Sequence, residues 1–78
     1  MWKVKVDLAY RVAYLVDDEG IAQLAQSGVT RSTVDDVLAS WGYARVPGSE
    51  WECVAILNAI DAVCCSVERT ENEGKSAN

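Results

Sequence analysis

Apolar residues occupy every second position from Trp2 to Val16: Trp2, Val4, Val6, Leu8, Tyr10, Val12, Tyr14 and Val16. Lys3, Lys5, Asp7 and Arg11 fall between them, with Ala9, Ala13 and Leu15. This is the period of a strand with one buried face, and its β-branched and aromatic content suits a pleated surface. From Leu8 onward a helical stripe of Leu8, Val12, Leu15 and Val16 also fits, but the residue types favour strand. Length then becomes the constraint. A strand of this extent spans about 50 Å at roughly 3.3 Å per residue. A compact domain of 78 residues has a radius of gyration of about 11–12 Å and is about 30 Å across. One straight strand overruns it. No Gly, Pro or Asn lies between Trp2 and Val16 to make a tight turn. The segment is therefore expected to bend, or to reach across to another chain.

Asp17-Asp18-Glu19-Gly20 then interrupts the apolar pattern. Either aspartate can cap a short helix, and acids in a first turn complement the helix dipole. Ile21, Leu24 and Ala25 form its expected apolar stripe, with Gly28 as its stop. Thr30 or Ser32 caps a second helix, with Val34, Val37, Leu38 and Trp41 inward and Gly42 at its end. Tyr43–Val46 reads as extended and Pro47-Gly48 as a turn. Ser49 and Glu52 have the spacing of a capping box. It predicts a long C-terminal helix to about Arg69, with Trp51, Val54, Ala55, Leu57, Ile60, Val63, Cys64 and Val67 on a broad apolar face.

The expected fold is thus α+β. A long N-terminal strand, bent or paired between subunits, is followed by two short helices, a short extended segment and one long C-terminal helix. Residues 1–70 are expected as a single compact domain and 71–78 as a mobile polar tail. One long strand and one short one do not make a stable sheet, and an unpaired apolar strand is a template for another chain. Strand Trp2–Val16 is therefore expected to pair with a second copy, making a homodimer, or with the target.

The chemistry that is missing narrows the function. The chain has no histidine, so the commonest general base and metal ligand is absent. Cys53, Cys64 and Cys65 are odd in number and two are adjacent, which suggests neither a disulfide framework nor a zinc site. Free buried thiols in a reducing compartment are expected. The N-terminus has no uninterrupted apolar core of a signal peptide, and no apolar run approaches a membrane span. A cytoplasmic, non-membrane protein is expected. The scattered glycines match no phosphate loop, and the acidic runs read as caps and solvated turns. No enzymatic constellation, cofactor or metal is expected.

Seven basic residues stand against twelve acidic ones, a net charge of −5. That surface repels nucleic acid on average and favours partners with basic surfaces. In size, acidity and lack of catalytic groups the chain resembles small phage-encoded antagonists of host machinery, anti-CRISPR proteins among them. The leading expectation is a protein-binding regulator or inhibitor that occludes a basic surface on its partner. Its acidic face is expected to comprise Asp17, Asp18, Glu19, Asp35 and Asp36, with aromatic anchors at Tyr10, Tyr14 or Tyr43.

An alternative is a small DNA-binding transcriptional regulator. Ile21-Ala-Gln-Leu-Ala-Gln-Ser-Gly-Val-Thr-Arg-Ser-Thr-Val34 resembles a helix-turn-helix unit. The resemblance implies that Thr30, Arg31, Ser32 and Thr33 contact bases or phosphates. A strand followed by two helices likewise resembles a ribbon-helix-helix dimer, which implies groove contacts from Lys3, Lys5 and Asp7. A third expectation is a structural subunit without independent activity.

Overall fold

A computed structural model describes residues 1–56 and 59–70. Among these residues the chain forms a mostly antiparallel β architecture with one short helix. In chain order the elements are β1 (Lys3–Asp7), β2 (Val12–Val16), β3 (Ala22–Ser27), α1 (Val34–Trp41), β4 (Tyr43–Arg45), β5 (Glu52–Ile56) and β6 (Ala59–Arg69). The sheet runs β3-β2-β1-β6, and the far side of β6 is shared by β5 along its first part and β4 near its end.

The expected long strand is instead a hairpin. β1 and β2 pair antiparallel, from Lys3 opposite Val16 to Asp7 opposite Val12. The turn between them needs no Gly or Pro because Asp7 builds it. Its buried carboxylate accepts the backbone N–H groups of Ala9 and Tyr10, each at 3.0 Å. Arg11 closes the turn at a φ of 57°. That left-handed conformation costs a non-glycine residue about 1–2 kcal/mol, against about 0.5–1 kcal/mol for the extra unfolded-state freedom of glycine. Arg11→Gly is therefore expected to stabilise the fold by about 0.5 kcal/mol, seen as a higher urea midpoint at unchanged slope. β1 lies between β2 and β6, so it has no free edge to offer a second subunit. The ribbon-helix-helix arrangement is accordingly not formed.

The first expected helix is a strand. Asp17 does not cap a helix. It closes a turn in which its own N–H donates to the Ile21 carbonyl and the Gly20 N–H donates to its carbonyl, both at 3.0 Å. The chain returns as β3 alongside β2, with Leu24 opposite Leu15 and Gln26 opposite Ala13. Ala, Gln and Leu are good helix formers, but so short a stretch holds no helix by propensity alone, and the ladder to β2 prevails. Without a first helix there is no helix-turn-helix unit.

The long C-terminal helix is replaced by the β5–β6 hairpin. The Ser49 hydroxyl does not cap a helix; it donates to the Val46 carbonyl at 2.6 Å. β6 pairs with β1 on one side and with β5 and β4 on the other. Ala62, Val63, Cys64 and Cys65 are all buried. A strand buried on both faces has a continuous apolar run, and such a run also supplies a helical stripe. Leu57 and the tail Glu71–Asn78 lie outside the described residues.

α1 occupies the second expected helical segment. Thr33 stands at its N-cap, and Gly42, at a φ of 85°, ends it by donating to the Ala39 and Leu38 carbonyls. It is reached from β3 through Val29, whose N–H donates to the Arg11 carbonyl at 2.8 Å. Val29, Val34, Val37 and Leu38 pack on the sheet face made by Val4, Val6, Ala13, Leu15, Val63, Cys65 and Val67. Each fully buried Val or Leu stabilises the fold by about 1.5–3 kcal/mol. Trp2, Trp41, Tyr43 and Trp51 border this core. Among the described residues no helix is long and apolar enough to cross a membrane.

Candidate functional site

Among the described residues the sheet ends at β3 on one side and at β5 and β4 on the other. β3 has β2 on one side and no strand on the other among the described residues. Every residue of Ala22–Ser27 is exposed. Ile21 and Leu24 are 54% and 43% exposed, although both are large and apolar. Leu24 lies on the sheet face that α1 covers, since its partner Leu15 is in the core, but it is not part of that core. From Gly20 to Thr30 the chain carries no charge at all, its longest such run. Open edges are ordinarily guarded by charges, prolines or a covering element. β3 has no charge and no proline, and its one irregularity is a register shift near its start, between Leu15 and Val16 of β2.

Both ends of this edge are fixed in place. At its start, the Asp17 carboxylate accepts the N–H groups of Glu19 and Ile21 at 2.9 and 3.0 Å, and the Gln23 side-chain amide at 2.8 Å. The Ile21 N–H above all holds this carboxyl below its usual range. Asp18 pairs with the N-terminal ammonium, and Glu19 is exposed. At the other end, Gly28 turns the chain at a φ of 75° and Val29 is buried. Thr30, Ser32 and Thr33 then bond to one another through their hydroxyls, with Thr30 and Ser32 at 2.9 Å. Arg31 is exposed in that turn.

The five acids expected to form one face lie on two elements. Asp17, Asp18 and Glu19 form the β2–β3 turn, while Asp35 and Asp36 lie in the first turn of α1. No hydrogen bond or ion pair among the described residues links the two groups. Asp35 is engaged by Arg45 through two bonds, from Nε at 2.7 Å and Nη2 at 2.9 Å. That guanidinium draws the Asp35 carboxyl down from its usual range, and Asp35 in turn raises Arg45.

Of the expected anchors, Tyr10 is the free one: it is 76% exposed at the tip of the β1–β2 hairpin. Tyr14 is half-buried opposite Lys5. Tyr43 is half-buried, stacked on Trp2 at 5.5 Å with Arg69 above its ring. A cleft of about 340 Å³ lies beside this stack, lined by Trp2, Tyr43, Val67, Glu68 and Arg69. The residues expected to contact DNA are also divided. Thr30–Thr33 precede α1, whereas Lys3 and Lys5 stand on the helix-free face of β1, opposite Ser66 and Cys64. That face holds a second cleft of about 310 Å³ between the two lysines and the Asp17–Gly20 turn.

No protein-family model, curated protein or solved structure matches the chain.

The cysteines occupy three different environments. Neighbours on a strand point to opposite faces, so Cys65 enters the core while Cys64 is buried under the helix-free face. Burial pushes the Cys64 thiol up, and the nearby Lys3 offsets part of that rise. Cys53, expected in the core, is exposed. Ser49 Oγ lies 3.1 Å from Cys65 Sγ with no histidine in the chain to activate either. Among the described residues no set of three His, Cys, Asp or Glu side chains gathers to hold a metal.

The β3 edge is the feature that sequence reasoning missed. The uncharged run from Gly20 to Thr30 is visible in the sequence, but such a run does not mark an edge, and helix propensity in the same residues pointed away from a strand.

Proposed function

We propose that this chain acts by binding another protein, as a small acidic regulator that catalyses no reaction. An extended segment of the partner adds to the sheet along β3. The observation that carries this reading is the open, wholly exposed and uncharged strand Ala22–Ser27. Strand addition takes its affinity from main-chain hydrogen bonds and its specificity from alternate side chains. Leu24 and Ile21 supply exposed apolar contact along the edge. Tyr10 stands on the hairpin tip beside Arg11, which is bonded to the segment leaving β3. The acidic turn at the start of β3 favours a partner with a basic surface there, which the bound chain occludes. This mode of action is the one the likeness to phage-encoded antagonists suggests.

The test begins with partner capture from the native cells, followed by hydrogen exchange on the purified complex. The β3 amides are expected to gain protection, with β1 and β6 unchanged. Asp18→Lys with Glu19→Lys is expected to slow association about 10-fold at low salt and far less at high salt. A complex that leaves the β3 amides exchanging as in the free chain overturns the reading.

A further inference from the structure

We propose that, in the absence of its partner, β3 pairs antiparallel with β3 of a second copy across a two-fold axis at Leu24. This rests on the reading of β3 as an open docking edge and names a second occupant for it.

Charge complementarity selects this occupant and its direction. Asp17, Asp18 and Glu19 precede β3, and Arg31 follows it, with nothing charged between. A parallel pair of β3 strands sets acidic turn beside acidic turn. An antiparallel pair sets the acidic turn of each copy at the end of the partner's β3 that Arg11 adjoins and Arg31 follows, at both ends by symmetry. The strands between meet without any like-charge contact, although each chain carries a net −5.

Packing selects the register. Cross-strand neighbours share a sheet face, so a pair centred on Leu24 sets it against the partner's Leu24 and sets Gln23 against the partner's Ala25. The two leucines, each 43% exposed in the single chain, then cover one another. Registers displaced by two residues oppose Leu24 with glutamine or alanine and leave it wet. A strand pair of this length is smaller than the roughly 1,200–2,000 Å² of stable complexes, so a weak dimer results, one a tighter partner displaces.

Sedimentation velocity from micromolar to millimolar concentration is the first measurement, with a reversible monomer–dimer equilibrium expected. Arg31→Glu should weaken the dimer about 10-fold at low salt, and adding Glu19→Arg should recover most of that loss. Register is read by crosslinking in a Cys53→Ser background, because Cys53 is exposed. Opposed Cα atoms in antiparallel strands lie about 4.5–5.5 Å apart, within the disulfide range of about 4.4–6.8 Å. Leu24→Cys should therefore crosslink under mild oxidation, and Ala25→Cys, which meets glutamine, should not. A dimer in which Leu24→Cys does not crosslink overturns the proposal. So does a monomer at all concentrations. If the β3 amides of that monomer exchange freely, the open edge and the protein-binding reading stand without the dimer. If they are protected, both fail.

Discussion

Val6→Asp is expected to cost about 4 kcal/mol or more, enough to unfold a chain at the low end of the usual stability range, while Lys5→Asp, one residue away, is expected to cost about 1 kcal/mol. Val6 is fully buried, opposite Ala13 on β2 and Val63 on β6, in the core that α1 covers. No cation belongs to that cluster. A carboxylate there is desolvated without compensation, at a cost of about 4 kcal/mol or more. A chain of this size has a total stability of about 4–12 kcal/mol. Lys5 stands on the opposite face, half-exposed beside Tyr14, where a carboxylate keeps access to water. Circular dichroism and urea titration of the pair decide the point. Equal effects at the two positions would refute the strand alternation of β1.

The second large effect is Leu38→Ala. Leu38 is fully buried, and it lies on the single described helix that closes that face of the sheet. Truncation loses the transfer energy of the removed groups and leaves a cavity, at about 3 kcal/mol within a usual range of about 2–5. Leu38→Met keeps the volume and is expected to cost under about 1.5 kcal/mol. The urea midpoint should fall for alanine at unchanged slope. Trp2 and Trp41 border the same core, so their fluorescence should report the same transition. A loss below about 1 kcal/mol would mean that α1 does not seal the core.

Several features of the fold were legible in the residues alone. The alternation of Trp2–Leu8 is that of β1, and the spacing of Val34, Val37 and Leu38 before Gly42 is that of α1. Both signals are local: a period and a stop. The extended Tyr43–Val46 segment and the Pro47-Gly48 turn are equally local, and Gly48 adopts the positive φ that such a turn requires. The hairpin turn after β1 was harder to see, because a buried aspartate does there what Gly or Asn commonly does.

Residue pattern alone sets which side chains can be buried, where acids and turns interrupt the chain, and that no histidine chemistry is available. It took the assembled sheet to keep Ala22–Ser27, Glu52–Ile56 and Ala59–Arg69 from becoming helices. The physical reason is that strand pairing is a long-range interaction. β6 meets β1, more than fifty positions away, through a ladder that no short window of sequence contains. There it is buried on both faces, where an apolar run has no period to distinguish strand from helix. The same pairing leaves β3 last in the sheet and so makes its edge available. Which strand ends a sheet depends on every other pairing in it, and no residue of β3 could encode that alone.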